Sequence, residues 1–401
     1  MKKINLWALG LVVSALLVLA ACGGDGNFSA SNDAPVPGSP APAPFGDTGG
    51  GGGSGGTGGG TGGGGAGGGG GTGGTGGGSG GGDTGGGGGA IEPATEDQLV
   101  TETMASNLEG PWSLAFAPDG RLFFTESRGR LRVFSNGALV SRPVLDISDE
   151  TPGSQGGLTG MDLDRNFASN GLVYAHYCTP SKRCRVVRIV VEGNSGSIDK
   201  VLLDYPITNF DHVGGRVKVG PDNLLYVTLG DHRNRSSAQD PASWDGKVIR
   251  MNLEGTPADG NPFPQNRYVY SYGHRDPQGI AFDSSGTLYE TDHGPTANDE
   301  VNIVRIGKNY GWPECVGACN NPAYVDPIIN LAPKEPSMPP TGGVFYLGSV
   351  IPGWSGSFLF GVLGLDDNPQ AHQVRQIMFN EPGGSTVTFQ QFVREQIRTH
   401  S

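Results

Sequence analysis

Cations are scarce in this 401-residue sequence: 27 Lys and Arg stand against 39 Asp and Glu, a formal charge of −12. Residues 1–92 hold two of the bases and five of the acids, so the remainder carries a formal −9. An acidic domain does not hold a nucleic-acid backbone by bulk electrostatics, and it offers a membrane no polybasic patch. Helical periodicity is nearly absent, which argues against an α-helical fold. Glycine is the one residue in excess. Of its 72 occurrences, 32 fall in the 41 positions from Gly49 to Gly89, leaving 40 in the other 360 residues. That run has no G-x-y period with proline, so collagen is excluded.

Cysteine is also rare, and its five positions are informative. Lys2 and Lys3 precede an apolar stretch from Ile4 to Ala21, which ends at Leu19-Ala20-Ala21-Cys22. Small residues before a Cys at the end of a signal core resemble the bacterial lipoprotein box. That resemblance implies a signal peptide over 1–21, lipidation of Cys22 and attachment to the membrane through the lipid alone. Gly23 stands where an Asp would signal inner-membrane retention, so the outer membrane is the favoured destination in the cell envelope. Residues 22–90 then read as a tether, semi-stiff around Pro35–Pro44 and a flexible coil beyond, with a reach of roughly 45 Å. The other four cysteines form two close pairs, Cys178 with Cys184 and Cys315 with Cys319. Short paired spacings suit zinc as well as disulfides, and an oxidising envelope favours two local disulfides.

Residues 91–401 repeat themselves. Each unit has a glycine, a short apolar run, a turn of Pro, Asp and Gly, and a second apolar run ending in Thr or an acid. Unit one holds Trp112-Ser113-Leu114-Ala115-Phe116 and Leu122-Phe123-Phe124-Thr125-Glu126 around Pro118-Asp119-Gly120. Unit two runs from Gly156 to Tyr174, unit three from Gly215 to Thr228, and unit four from Gly279 to Tyr289. Unit five is weaker, with Gly343-Val344-Phe345-Tyr346 and Phe358-Leu359-Phe360. Short strands recurring every 45–65 residues or so predict an all-β fold, a β-propeller; a parallel β-helix has shorter repeats. Roughly 310 residues at about 50 per blade predict six blades. The sixth would be incomplete, built from a strand near Val100–Met104 and strands at His372–Met378 and Thr386–Phe392, or its gap would be covered by the partner in a homodimer.

Residues just before each inner strand of a propeller converge on its channel. Here they are Gln155, Asp211 with His212, Arg275 with Asp276, and Thr341. Such a group can be a site or can bridge blades, and spacing alone leaves both open.

The strings GPWSLAFAPDGRLFFTESRGRLRV (110–133), SQGGLTGMDLDRNFASNGLVY (154–174), DHVGGRVKVGPDNLLYVTLGD (211–231), YSYGHRDPQGIAFD (270–283), DHGPTANDEVN (292–302) and KNYGWP (308–313) resemble the glucose/sorbosone dehydrogenase family. Its soluble members are six-bladed quinoproteins that use pyrroloquinoline quinone (PQQ) and calcium. The resemblance implies an oxidoreductase that converts an aldose to a lactone at the anomeric carbon. It places His212 on the general base, Asp231 on the carboxylate that orients it, and Gln155 and Asp211 near substrate or cofactor. Imidazole and carboxylate suit those roles, because the carboxylate fixes the tautomer of the base. Arg275, beside Asp276, falls on a quinone contact. Gly294 and Pro295 fall on carbonyls that hold the catalytic calcium, and Glu300 and Tyr310 on ligands of a second calcium.

Departures from the pattern weaken the quinone assignment. Asp276 replaces an Asn and would repel a carboxylated cofactor. Pro327 to Pro340 lacks the expected aromatic, Gly364–Asn368 lacks a base, and the final Arg-x-Arg repeat has no counterpart before the chain ends. A propeller that keeps its calcium but serves as a non-catalytic binding module is therefore the alternative, with a calcium-dependent lactonase third. Which sugar and which electron acceptor are used is not encoded in these motifs.

Overall fold

The computed structural model describes residues 103–334, 337–363, 373–379 and 387–394, and they form antiparallel sheets throughout. The described residues make five sheets. Blade one contains β1 (Pro111–Phe116), β2 (Leu122–Glu126), β3 (Arg130–Ser135), β4 (Ala138–Leu139) and β5 (Leu145–Asp146), the last two both pairing with β3. Blade two is β6 (Met161–Leu163), β7 (Leu172–Thr179), β8 (Arg183–Glu192) and β9 (Ser195–Pro206). Blade three is β10 (Gly214–Val219), β11 (Leu224–Leu229), β12 (Lys247–Asn252) and β13 (Val269–Tyr272). Blade four is β14 (Pro277–Phe282), β15 (Leu288–Asp292), β16 (Glu300–Val304) and β17 (Ile329–Asn330). Blade five is β18 (Pro340–Tyr346), β19 (Ser357–Val362), β20 (Gln373–Phe379) and β21 (Val387–Arg394).

The propeller expectation holds, but the count of six does not. The two strands assigned to a partial sixth blade are β20 and β21; β20 pairs with β19 and β21 with β20, and together they complete blade five. Residues 100–102 lie outside the described residues, and Thr103 and Met104 belong to no strand.

Three hairpins share one turn, and their sequences show why. Ala117 N–H donates to Arg121 O and Gly120 N–H back to Ala117 O; Gly220 with Asn223 and Asp283 with Gly286 repeat the pattern. The closing residue has a positive φ each time (Gly120 85°, Asn223 61°, Gly286 83°), the conformation that Gly and Asn tolerate best.

The threonine ending the second apolar run also has a physical role. Thr125 Oγ1 donates to Thr159 O (2.6 Å), Thr228 Oγ1 to Pro277 O (3.0 Å) and Thr291 Oγ1 to Thr341 O (2.9 Å). Each bond ties the second strand of one blade to the start of the next blade's inner strand. Between blades two and three His176 occupies that position against Gly215, whose carbonyl accepts Gly160 N–H (2.9 Å) and Thr159 Oγ1 (3.3 Å). In β19 the matching residue is Gly361, which has no side chain to donate. The matching carbonyl in blade one, Trp112 O, accepts Arg216 Nη1 from across the channel instead (2.7 Å).

Apolar clusters fill the joints between successive blades. Phe123, Leu131 and Val187 belong to the joint of blades one and two, Val186, Leu203 and Val227 to that of two and three. Tyr226, Ile280 and Leu288 pack between blades three and four, and Tyr289, Phe345 and Phe358 between four and five. Between blades five and one a cavity of about 960 Å³ opens instead and reaches the inner strands of the other blades; Trp112, Phe116, Arg216 and Leu347 help to line it.

Both predicted disulfides are present, so the zinc alternative falls. Cys178 and Cys184 face each other in the β7/β8 register, both fully buried, and Cys315–Cys319 closes a loop after β16. Among the described residues no helix is long and apolar enough to cross a membrane.

Candidate functional site

His212 sits just before β10, at φ 53°, in the left-handed region. Asp231 follows β11, so the β10/β11 hairpin brings the two together from 19 residues apart. His212 Nδ1 lies 2.7 Å from Asp231 Oδ1, and both side chains are buried. Asp231 Oδ1 also accepts Arg233 N–H (2.8 Å), and Oδ2 accepts Trp312 Nε1–H (2.8 Å). Burial works to raise the Asp231 carboxyl, but bonds from His212, Arg233 and Trp312 outweigh it and hold the group below the ordinary carboxylate range. An ionised Asp231 can only accept, so His212 carries its proton on Nδ1. The opposite nitrogen agrees: His212 Nε2 lies 3.0 Å from Arg275 Nη2, a donor that must meet a lone pair.

Arg275 is fixed from several sides. Its Nη1 donates to His293 O (2.9 Å), its N–H to Asp292 Oδ2 (2.9 Å), and its carbonyl accepts Asp231 N–H (2.7 Å). The guanidinium lies over the Trp312 ring, 5.4 Å from its centroid, and Arg235 lies over the same ring at 5.5 Å. Arg275 Nε is buried without a partner. Gly230, next to Asp231, has to be glycine, because a Cβ there would meet His212 O at 1.9 Å.

The other sequence candidates distribute around this centre. Gln155 Oε1 accepts Val213 N–H (3.4 Å), placing the amide beside His212. Asp211 points outward, its carboxylate 56% exposed and 3.4 Å from Arg233 Nε. Asp276 is buried, and its Oδ1 accepts Gly214 N–H (3.3 Å) and Gln278 Nε2 (2.8 Å). Its carboxylate is thus hydrogen-bonded within the protein, and its negative charge acts on Arg275 next to it. Thr341 serves a blade joint through its carbonyl.

Gly294 lies at the edge of the same region, two residues beyond Asp292. Its N–H donates to the buried Asp299 Oδ1 (3.0 Å), and a Cβ would meet Ala297 O at 1.9 Å. Among the described residues no hydrogen bond reaches the carbonyls of Gly294 or Pro295, which leaves both free for a hard cation. The Glu300 carboxylate accepts Gly317 N–H (3.0 Å) and Asn302 Nδ2 (3.1 Å), and burial pushes it up to about 7. Tyr310 donates its hydroxyl to Ile303 O (2.6 Å) and accepts Arg305 N–H with it (2.8 Å). Any metal contact by Tyr310 would therefore use its backbone carbonyl.

Sequence reasoning missed several groups. Trp312 lay inside the quoted KNYGWP string without a role, yet it holds Asp231 and underlies two arginines. A buried trio of His274, Glu290 and Asp292 lies behind the site, with His274 Nδ1 2.5 Å from Glu290 Oε1. Burial pushes Glu290 up to about 8 and His274 down to about 4. No spacing rule marks such a trio, since β15 and the turn before β14 supply it.

The Glucose / Sorbosone dehydrogenase family model matches residues 108–395. The aldose sugar dehydrogenase YliI of Escherichia coli is 30% identical over 296 residues, covering 68% of this chain and 79% of that protein. Quinoprotein glucose dehydrogenase B of Acinetobacter calcoaceticus is 28% identical over 268 residues, 58% of this chain and 56% of that one. The structure of the PQQ-bound aldose sugar dehydrogenase of Streptomyces coelicolor superposes with a TM-score of 0.64 at 29% identity, covering 74% of this chain and 84% of that one. The chain belongs to the Glucose / Sorbosone dehydrogenase family of oxidoreductases.

Proposed function

We propose that the protein oxidises an aldose at its anomeric carbon to the lactone, using PQQ and calcium, while held to the cell envelope by lipid on Cys22. The observation that carries this reading is the buried relay Trp312–Asp231–His212, with His212 Nε2 turned toward Arg275.

The residues fit an anionic, planar cofactor. Arg275 has an unpartnered Nε, Arg235 shares its aromatic support, and the Asp276 carboxylate is turned into the protein. Arg275 would hold the quinone carboxylates. The free carbonyls of Gly294 and Pro295 would hold calcium, and the Glu300 carboxylate with the Tyr310 carbonyl a second, structural ion. When bound, PQQ supplies the hydride acceptor and calcium a Lewis acid beside it.

The chain's own residues handle the proton. His212 Nε2 takes it from the anomeric hydroxyl, and the fixed Asp231 charge stabilises the imidazolium that results. In this structure the Nε2 lone pair already receives Arg275 Nη2, so the guanidinium shifts toward an anionic group before the base can act. Gln155 offers its amide N–H to a sugar oxygen, and Asp211 lies at the outer rim.

Protein given calcium and PQQ should reduce an artificial dye with an aldose, and His212→Ala should abolish dye reduction while still binding the quinone in a spectral titration. A wild-type protein that is folded yet binds no quinone would instead favour the non-catalytic binding module.

A further inference from the structure

Arg216 is a buried cation that has no ion-pair partner among the described residues. It lies on β10, four residues beyond His212, and is only 9% exposed at the wall of the cavity between blades five and one. One of its nitrogens, Nη1, caps Trp112 O, and the guanidinium rests 5.5 Å from the Trp112 ring centroid. Nε is buried without a partner, Nη2 makes no hydrogen bond, and no carboxylate pairs with the group among the described residues. Burial lowers its affinity for the proton to a pKa of about 9. An unpaired buried cation is costly, and the usual remedy is an anion within reach.

The surroundings define which anion. Lys218 and Arg121, the other cations on the wall, are already paired, with Asp162 (3.1 Å) and Asp119 (2.7 Å). Among the lining side chains one positive charge is therefore left without an ion pair, its nearest counter-charge being the buried Asp276 behind the wall. The rest of the wall is largely apolar: Phe116 is 46% and Leu347 61% exposed, on opposite sides of the opening. Gly342 keeps the approach to the guanidinium open, since a Cβ there would stand 3.1 Å from Nη1. At about 960 Å³ the cavity is at the upper end of the range for small-molecule sites. None of the candidate catalytic residues lines it.

We propose that this cavity binds an apolar monocarboxylate, with the carboxylate on Arg216 and the hydrocarbon body between Phe116 and Leu347. The site is separate from the sugar site, so its test needs neither quinone nor aldose.

The probes are decanoate and its neutral counterpart 1-decanol, titrated into the full-length protein by calorimetry and tryptophan fluorescence. Decanoate should bind about ten- to a hundredfold more tightly than decanol, the factor expected for a charge-assisted hydrogen bond. Arg216→Met should erase that preference while decanol still binds. Because Arg216 also caps Trp112 O, a second variant guards against misfolding. Leu347→Asp, at an exposed position, should weaken both probes through the lost apolar contact, and decanoate more than decanol through the added negative charge. Equal binding of the two probes, no binding of decanoate by the folded wild type, or decanoate affinity unchanged in either folded variant would overturn the proposal.

Discussion

Replacing Asp231 by Asn removes one charge from a carboxylate that serves three donors, His212 Nδ1–H, Arg233 N–H and Trp312 Nε1–H. An amide presents one accepting oxygen. Set at the Oδ1 position, it keeps His212 and Arg233 but turns its NH₂ against the Trp312 N–H. Leaving a buried donor unsatisfied costs about 1–3 kcal/mol, and losing the charge on the remaining bonds adds to this. Asp231→Asn should therefore destabilise by about 2–4 kcal/mol. Trp312→Phe keeps a ring and deletes one charge-assisted bond, costing about 1.5–3 kcal/mol in the wild-type background. In the Asp231→Asn background the same change relieves a donor–donor clash and should cost little. The two effects should couple by about 1.5–3 kcal/mol, within the range for residues in contact. Urea unfolding of the wild type, both single variants and the double variant at pH 7 measures this. The sign of the pH dependence also follows. A carboxyl held low in the folded state stabilises above its unfolded pKa, roughly 4, and loses that contribution as pH falls through the folded value. The gap between wild type and Asp231→Asn should thus be full at pH 7 and narrow on acidification below about 4. Additivity within about 0.5 kcal/mol, or a gap that does not narrow, would refute the relay.

Thr228→Val should cost about 1–3 kcal/mol in urea unfolding by leaving Pro277 O without its donor, and Thr228→Ser should restore most of it. Glu290, raised by burial to about 8, opposes folding increasingly as pH rises from about 4.5 toward 8; in chelator-treated protein Glu290→Gln should raise the thermal midpoint more at pH 8 than at pH 5. Calcium chelation should lower the midpoint of the wild type, since an ion bound only to the folded state stabilises it by mass action. Under mild reductant, mass spectrometry should find Cys315 and Cys319 alkylated before Cys178 and Cys184, whose sulfurs sit in a fully buried strand pair.

Much of the fold was legible because its signals are local. The Pro-Asp-Gly turn and the close cysteine pairs each act within a few residues, and both took the predicted form. Blade five misled because it lacks that turn: the connection after Tyr346 runs through Leu347–Gly356 before β19 begins, so its outer strands read as leftovers. The site was legible where two residues flank one hairpin, as His212 and Asp231 do. It was illegible where partners meet across blades, as Trp312 meets Asp231 from 81 positions away. Sequence also reports a charge without its direction. Asp276 read as a neighbour of the cofactor, and only the fold shows that its Oδ1 faces Gly214 N–H and Gln278 Nε2.

The threonine joints have a direction: every one runs from a blade to its successor, donor to carbonyl. Chains of such one-way bonds have unlike ends, as a filament of identical subunits does. At the far end Gly361 offers nothing, and at the near end Trp112 O is already taken by Arg216. Neither end can therefore extend the series. A second copy of the propeller meeting the first head to tail would find no side-chain donor at Gly361 and Arg216 already on the Trp112 carbonyl. Arg216 thus acts as a terminator, stopping the arc from growing by the same bond that builds it.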